Sequence, residues 1–114
     1  PGRDWKDKKY NEDHIYPQNE FKIKNLRAKG YDDATIEKYQ ACYNSILNLE
    51  LLDDSENKSK NAKPFDSWLK DRDANFKERH HIPEMNDYSL DYFLDFIKKR
   101  KALLTKQIKE FILQ

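Results

Sequence analysis

Leu47-Asn48-Leu49-Glu50-Leu51-Leu52-Asp53-Asp54-Ser55-Glu56-Asn57 decides the fold. Leu47–Leu52 is short, apolar and bounded by Asp53-Asp54-Ser55, and reads as a strand or an extended turn. Ser55 is placed to cap a helix that carries Asn57 and Asn61 one turn apart on one face. Upstream, Lys9–Tyr16 reads as a first strand that Pro17 ends, since proline cannot continue a ladder. Strand, strand and short helix make a ββα unit. Two strands alone are marginal in water, so helices must pack on them.

The flanking sequence supplies such helices. After Gly30, Asp32 or Asp33 caps a helix in which Ile36, Tyr39, Tyr43 and Ile46 keep helical spacing, to about Ser45 or Ile46. Pro64 opens another, with Phe65, Trp68, Leu69 and Phe76 as its buried stripe. A loop follows around Ile82-Pro83-Glu84 and Asn86-Asp87. Ser89 then caps the longest helix, with Leu90, Phe93, Phe96-Ile97, Leu103-Leu104, Ile108 and Phe111-Ile112 as its apolar face. These elements predict an α+β chain, mostly helical, with a small two-stranded β-hairpin plus helix surrounded by additional helices. Residues 1–114 read as one domain, a ββα core over about 9–62 and a helical part over about 63–114.

Apolar residues make up 37% of the chain and charged residues 38%, so the core must be small. Seven Tyr, six Phe and two Trp compensate with large buried areas, which argues against disorder. A net charge of +1 does not announce a nucleic-acid partner. Local imbalance does more: Lys58, Lys60 and Lys63 cluster beside Asn57 as solvent-exposed cations within reach of a DNA backbone. Lys98, Lys99, Arg100 and Lys101 read as a solvated helix face. Cys42, the single cysteine, excludes an internal disulfide and a Cys-rich zinc site, fits a reducing cytoplasm, and reads as a buried structural thiol. No apolar run approaches a membrane span and no signal peptide is visible. The opening Pro1-Gly2-Arg3, without an initiator Met, is what a processed or excised piece of a larger protein would show.

The chemistry resides in Asp13-His14-Ile15-Tyr16-Pro17-Gln18 and the two later asparagines, Asn48 and Asn57. Hydrolysing a phosphodiester needs a deprotonated water, a cation on the phosphate and charge relief for the departing oxygen. Histidine suits the first task because its ordinary pKa, about 6.5, lies near working pH, which makes His14 the candidate general base. Mg²⁺ (or Mn²⁺) takes hard oxygen ligands and keeps several waters, so the Asp13 carboxylate and the Asn57 amide oxygen suffice for a sparse site. Asn48 suits holding geometry, bridging the loop before the helix to the His14 strand or orienting the imidazole. In a regular strand Asp13 and His14 point to opposite faces, so both can serve one site only if the strand ends or bends there. Tyr16 reads as packing, Asn61 as a cap or a DNA contact, and His80-His81 as a loop feature.

Asp13-His14 with Asn48, and Asn57 nine residues later, resembles the HNH (ββα-metal) endonuclease motif. The pattern and spacing are similar to those of the HNH domains of RNA-guided CRISPR effectors. Through Asn48-Leu49-Glu50-Leu51-Leu52, Asn57-Lys58-Ser59-Lys60-Asn61 and Phe65, the chain more closely resembles the C-terminal nuclease domain of GmrSD-type, modification-dependent restriction enzymes. The helix with Phe93, Phe96, Arg100 and Leu103-Leu104 is similar to the end of such proteins. The resemblance implies His14 and Asn48 as catalytic residues and Asp13 and Asn57 as metal ligands. It also implies DNA as substrate, an N-terminal ParB-like nucleotide-hydrolysing domain as partner, and a part in defence against phage. Two departures stand out: an extra helix between His14 and Asn48, and Asn61 where several relatives place a second histidine. The competing reading is a non-catalytic helical module on the same scaffold that binds DNA or protein. A third is a fragment inert without its N-terminal partner.

Overall fold

The computed structural model describes residues 10–113, so the expected strand start at Lys9 lies outside the described residues. β1 (Tyr10–His14) and β2 (Leu49–Asp53) pair antiparallel, with Tyr10 opposite Asp53 and His14 opposite Leu49. β1 stops short of Tyr16 because the Tyr16 N–H and C=O are bound by the Asn48 side chain instead of a neighbouring strand. β2 starts at Leu49 rather than Leu47 because Ile46–Asn48 is a 3₁₀ turn, with the Ser45 hydroxyl accepting from the Leu47 N–H at 3.1 Å. Period-two alternation turns Glu50 and Leu52 inward and leaves Leu51 exposed.

The strands are not joined as a tight hairpin. Residues 15–48 intervene, carrying a 3₁₀ turn (Gln18–Phe21), α1 (Ile23–Ala28) and α2 (Asp33–Cys42). Gly30 follows α1 at φ +92°, a left-handed conformation that favours glycine. Asp32 caps α2, its carboxylate accepting from the Thr35 N–H at 2.8 Å. α2 ends at Cys42, earlier than the Ser45 or Ile46 predicted, because Ser45 is extended to cap the turn that follows. Cys42 itself is half-buried against the core.

α3 (Asp54–Lys60) begins before Ser55, and its cap is Asp53. Asp53 accepts from the Glu56 N–H at 2.8 Å while Glu56 accepts from the Asp53 N–H at 3.4 Å, a reciprocal capping box. Ser55 has Lys58 three residues on and cannot form one. Asn61 ends α3 at φ +47°, which asparagine tolerates better than most residues. α4 (Phe65–Lys70) and α5 (Phe76–Arg79) follow. Ser89 precedes a 3₁₀ turn (Leu90–Tyr92) without a side-chain cap bond, and only then does α6 (Phe93–Ile112) run.

The core is aromatic. Tyr16 packs among Phe65, Phe93 and Phe96 with ring centroids 5.0–5.2 Å apart, and Phe21, Tyr39 and Phe93 form a second cluster beside it. The buried phenols are satisfied: Tyr16 donates to the Tyr88 carbonyl at 2.9 Å and Tyr39 to that of Leu90 at 2.8 Å. Each such ring contributes on the order of 2–3 kcal/mol of burial free energy. Only the first half of α6 takes part. Leu90, Phe93 and Phe96 are buried, whereas Ile108, Phe111 and Ile112 are exposed, so the predicted apolar face finds no partner beyond Leu104 among the described residues. Arg100 departs from the expected solvated block and is buried. Among the described residues, no helix is long and apolar enough to cross a membrane.

Candidate functional site

Alternation along β1 divides the central dipeptide. Asp13 shares its face with Asn11, which donates to the Asp54 carboxylate at 2.7 Å, and both look onto α3. His14 lies on the other face, its Nε2 2.8 Å from Oδ1 of Asn44 and its ring stacked 6.2 Å from that of Tyr43. Asp13 and His14 therefore do not share a face, and no hydrogen bond joins His14 to Asp13 or Asn57 among the described residues. Where β1 ends the chain does bend. The carbonyls of His14 and Ile15 both accept from the Lys60 ammonium, at 2.5 and 2.9 Å. Successive carbonyls of an extended strand point to opposite edges, so the backbone turns at this step.

Lys60 is the largest correction to the sequence reading. Far from meeting a DNA backbone, its side chain is 1% exposed, and its Nζ lies 2.5 Å from Asp13 Oδ2 and 3.7 Å from Glu50 Oε2. Lys58, Lys63 and Asn61 are exposed, as the DNA-contact reading requires of them. Asn57, half-buried, stands one turn before Lys60 and so on the same side of α3.

Asn48 is fully buried. Its Oδ1 accepts from the Tyr16 N–H at 2.8 Å, and its Nδ2 donates to the carbonyls of Tyr16 and Tyr43 at 3.1 and 2.9 Å. It bridges the exit of β1 to the end of α2. The imidazole is held by Asn44 instead, a residue the sequence reading missed.

Glu50 pairs with Asp13 across the strands, and neither of its buried oxygens accepts a hydrogen bond among the described residues. Burial pushes its pKa from 4.5 up to about 8; the Lys60 ammonium opposes the shift and Asp13 adds to it. His80 sits beside it, Nδ1 3.5 Å from Glu50 and Nε2 4.0 Å from Glu56, and burial lowers its pKa. His80 thus belongs to an acidic cluster rather than to an open loop.

A pH dependence follows from Glu50. The unfolded chain releases this proton near pH 4.5 while the native state holds it to about 8, so the native state binds more protons between these values. Stability therefore falls as pH rises through that window. Glu50→Gln removes the term. Its melting temperature should decline several degrees less than the parent's from pH 5 to 8, with His80 common to both proteins. Parallel curves would show that Glu50 titrates as an ordinary carboxylate.

The family model for the C-terminal domain of GmrSD restriction endonucleases matches residues 1–107. The chain belongs to this family. No curated protein matches it. Family membership makes this a domain of the restriction-endonuclease class, on the α+β scaffold described above.

Among the described residues, no group of three His, Cys, Asp or Glu is arranged to hold a metal ion. The pair expected from the sequence, Asp13 and Asn57, is smaller than that, one carboxylate and one amide. It fits a hard divalent cation in kind: Lys60 takes one oxygen of Asp13, and no hydrogen bond is made to the other or to the Asn57 side chain among the described residues.

Proposed function

We propose that the chain is an HNH-type, metal-dependent endonuclease domain that hydrolyses DNA phosphodiester bonds within a restriction system directed at phage. The supporting observation is the ββα unit itself. At the bent end of β1, Asp13 is turned toward the helix that carries Asn57 while the neighbouring His14 lies on the opposite face, in a chain of the GmrSD C-terminal family. Asp13 and Asn57 would hold Mg²⁺ or Mn²⁺, which when bound supplies Lewis-acid stabilisation of the phosphate and of the departing oxygen. Nε2 of His14 lies 2.8 Å from Asn44 Oδ1, an acceptor that selects the Nε2–H tautomer and assigns proton transfer from water to Nδ1. Lys58, Lys63 and Asn61 meet the DNA backbone, and an N-terminal ParB-like nucleotide-hydrolysing domain controls cleavage in the parent protein.

Two observations favour the competing reading, a binding module without catalysis: Lys60 already neutralises Asp13, and His14 lies on the opposite face of β1 against Asn44 and Tyr43. Plasmid nicking with and without Mg²⁺ or Mn²⁺ separates the two. The expected result is metal-dependent nicking that Asn57→Ala reduces at least about 10-fold, the lower end of what loss of a supporting metal-site group costs, with partial recovery at high Mn²⁺. Equal nicking by parent and variant would overturn the assignment of Asn57. Metal-independent DNA binding without cleavage, by this chain and by the full parent protein, would establish the binding module.

A further inference from the structure

A lysine with no exposed surface is costly unless its charge is fully paired, and a leucine or methionine would fill the same space without that cost. Lys60 is fully paired. Its ammonium has three donors and three acceptors, Asp13 Oδ2 at 2.5 Å, the His14 carbonyl at 2.5 Å and the Ile15 carbonyl at 2.9 Å. All three acceptors lie within three consecutive residues, Asp13 to Ile15, at the end of β1. Buried Glu50, 3.7 Å away, calls for a cation near this spot, but its carboxylate is not among the three hydrogen-bond acceptors that the ammonium takes. What the cation does locally is hold one carboxylate oxygen and draw two successive carbonyls to the same side.

We propose that Lys60 is a positioning residue of the nuclease site: its buried ammonium holds Oδ2 of Asp13, so that Oδ1 alone is offered to a divalent cation, and pins the bend from which His14 projects. This rests on the reading of Asp13 as a metal ligand given above. Because the ammonium stands against the carboxylate, it weakens capture of a second cation by the free protein. Metal affinity is given up for a fixed ligand and a fixed strand exit.

The test uses Lys60→Met and, since that variant leaves Glu50 without its nearest cation, the double variant Lys60→Met/Glu50→Gln, which removes both buried ionisable groups together. Mn²⁺ affinity is read by electron paramagnetic resonance of the free and bound ion, amide exchange at Ile15 and Tyr16 by NMR, and plasmid nicking below the melting temperature. The expected result in whichever variant folds is Mn²⁺ binding at least about 3-fold tighter, from loss of the neighbouring positive charge. Nicking at saturating Mn²⁺ should fall at least 10-fold, and exchange at Ile15 and Tyr16 should quicken at least 10-fold. Folded variants with parental Mn²⁺ affinity, exchange and nicking would reduce Lys60 to a core residue and overturn the proposal, as would weaker Mn²⁺ binding. Asp13→Asn tells the two failures apart. If it leaves Mn²⁺ binding unchanged, the metal-ligand reading of Asp13 has failed, while faster exchange in the Lys60 variants would still report the pinned bend.

Discussion

His14→Ala is expected to lower metal-dependent plasmid nicking by about 10²- to 10⁴-fold, the usual contribution of a general base, and to leave the fold standing. The two halves of this expectation come from different contacts. The side chain is half-exposed on the face of β1 opposite the acidic cluster, and it touches Asn44 and the ring of Tyr43 rather than the aromatic core. Losing one exposed hydrogen bond and one loose ring contact costs roughly 1 kcal/mol, which moves the melting temperature of a chain this size by only a few degrees. The activity loss is large because no second imidazole stands beside His14 among the described residues. His80 lies with Glu50 and Glu56, and the other groups described near His14 are an amide and a phenol. First-order nicking rates and a thermal melt on the same preparation check both halves. A variant that melts like the parent and cuts as fast as the parent would remove His14 from the chemistry and return the site to Asp13 and Asn57 alone.

Parts of this arrangement were legible in the sequence for a definite reason. Strand alternation and helical spacing are local rules, so the two strands, the helix bearing Asn57 and the buried Tyr16, Phe65, Phe93 and Phe96 follow from residues a few positions apart. The same alternation warned that Asp13 and His14 would face opposite ways. Residue type points to Ser55 as the helix cap, whereas the decisive signal is Glu56 three positions after Asp53, which allows a reciprocal cap. The burial of Lys60 is not legible locally because a lysine is exposed by default, and what buries it is non-local: Asp13, His14 and Ile15, some 45–47 positions away. A weak signal did exist. Glu50 shares the inner parity of β2 with Leu52, and an inward carboxylate calls for a cation from the helix that packs on it. The Asn44 contact with His14 spans 30 positions and carries no pattern at all. The far half of α6 shows the converse failure: spacing at Ile108, Phe111 and Ile112 announces an apolar face, yet burial depends on a partner that periodicity cannot supply.

Arg100→Met should cost roughly 3–5 kcal/mol of stability, the range found when a buried, multiply bonded charge is removed and its acceptors are left behind. Its guanidinium serves five carbonyls: His81 through Nε at 3.2 Å, His80 through Nη2 at 3.1 Å, and Ile46, Leu47 and Leu49 through Nη1 at 3.4, 3.0 and 2.8 Å. Methionine fills much of the volume but donates nothing. His81 is held there at φ +55°, a conformation costly for a residue with a Cβ, so the loop that Arg100 fastens has strain to release when the clasp opens. Against a total stability on the order of 5–15 kcal/mol the loss is a large fraction, visible as a melting temperature lowered by roughly 10 °C or more. Arg100→Lys should fall between parent and Met, since three donors on a point charge cannot span five acceptors on two segments. Urea midpoints for the three proteins test the order; an Arg100→Met variant within about 1 kcal/mol of the parent would mean that water satisfies those carbonyls and the clasp is dispensable. The consequence reaches the site because Ile46, Leu47 and Leu49 flank Asn48. Arg100 holds from α6 the same turn whose asparagine holds Tyr16, and Tyr16 follows directly on the bend at His14 and Ile15. In the folded fraction of Arg100→Met, nicking should therefore decline more steeply with temperature than the melting curve alone accounts for.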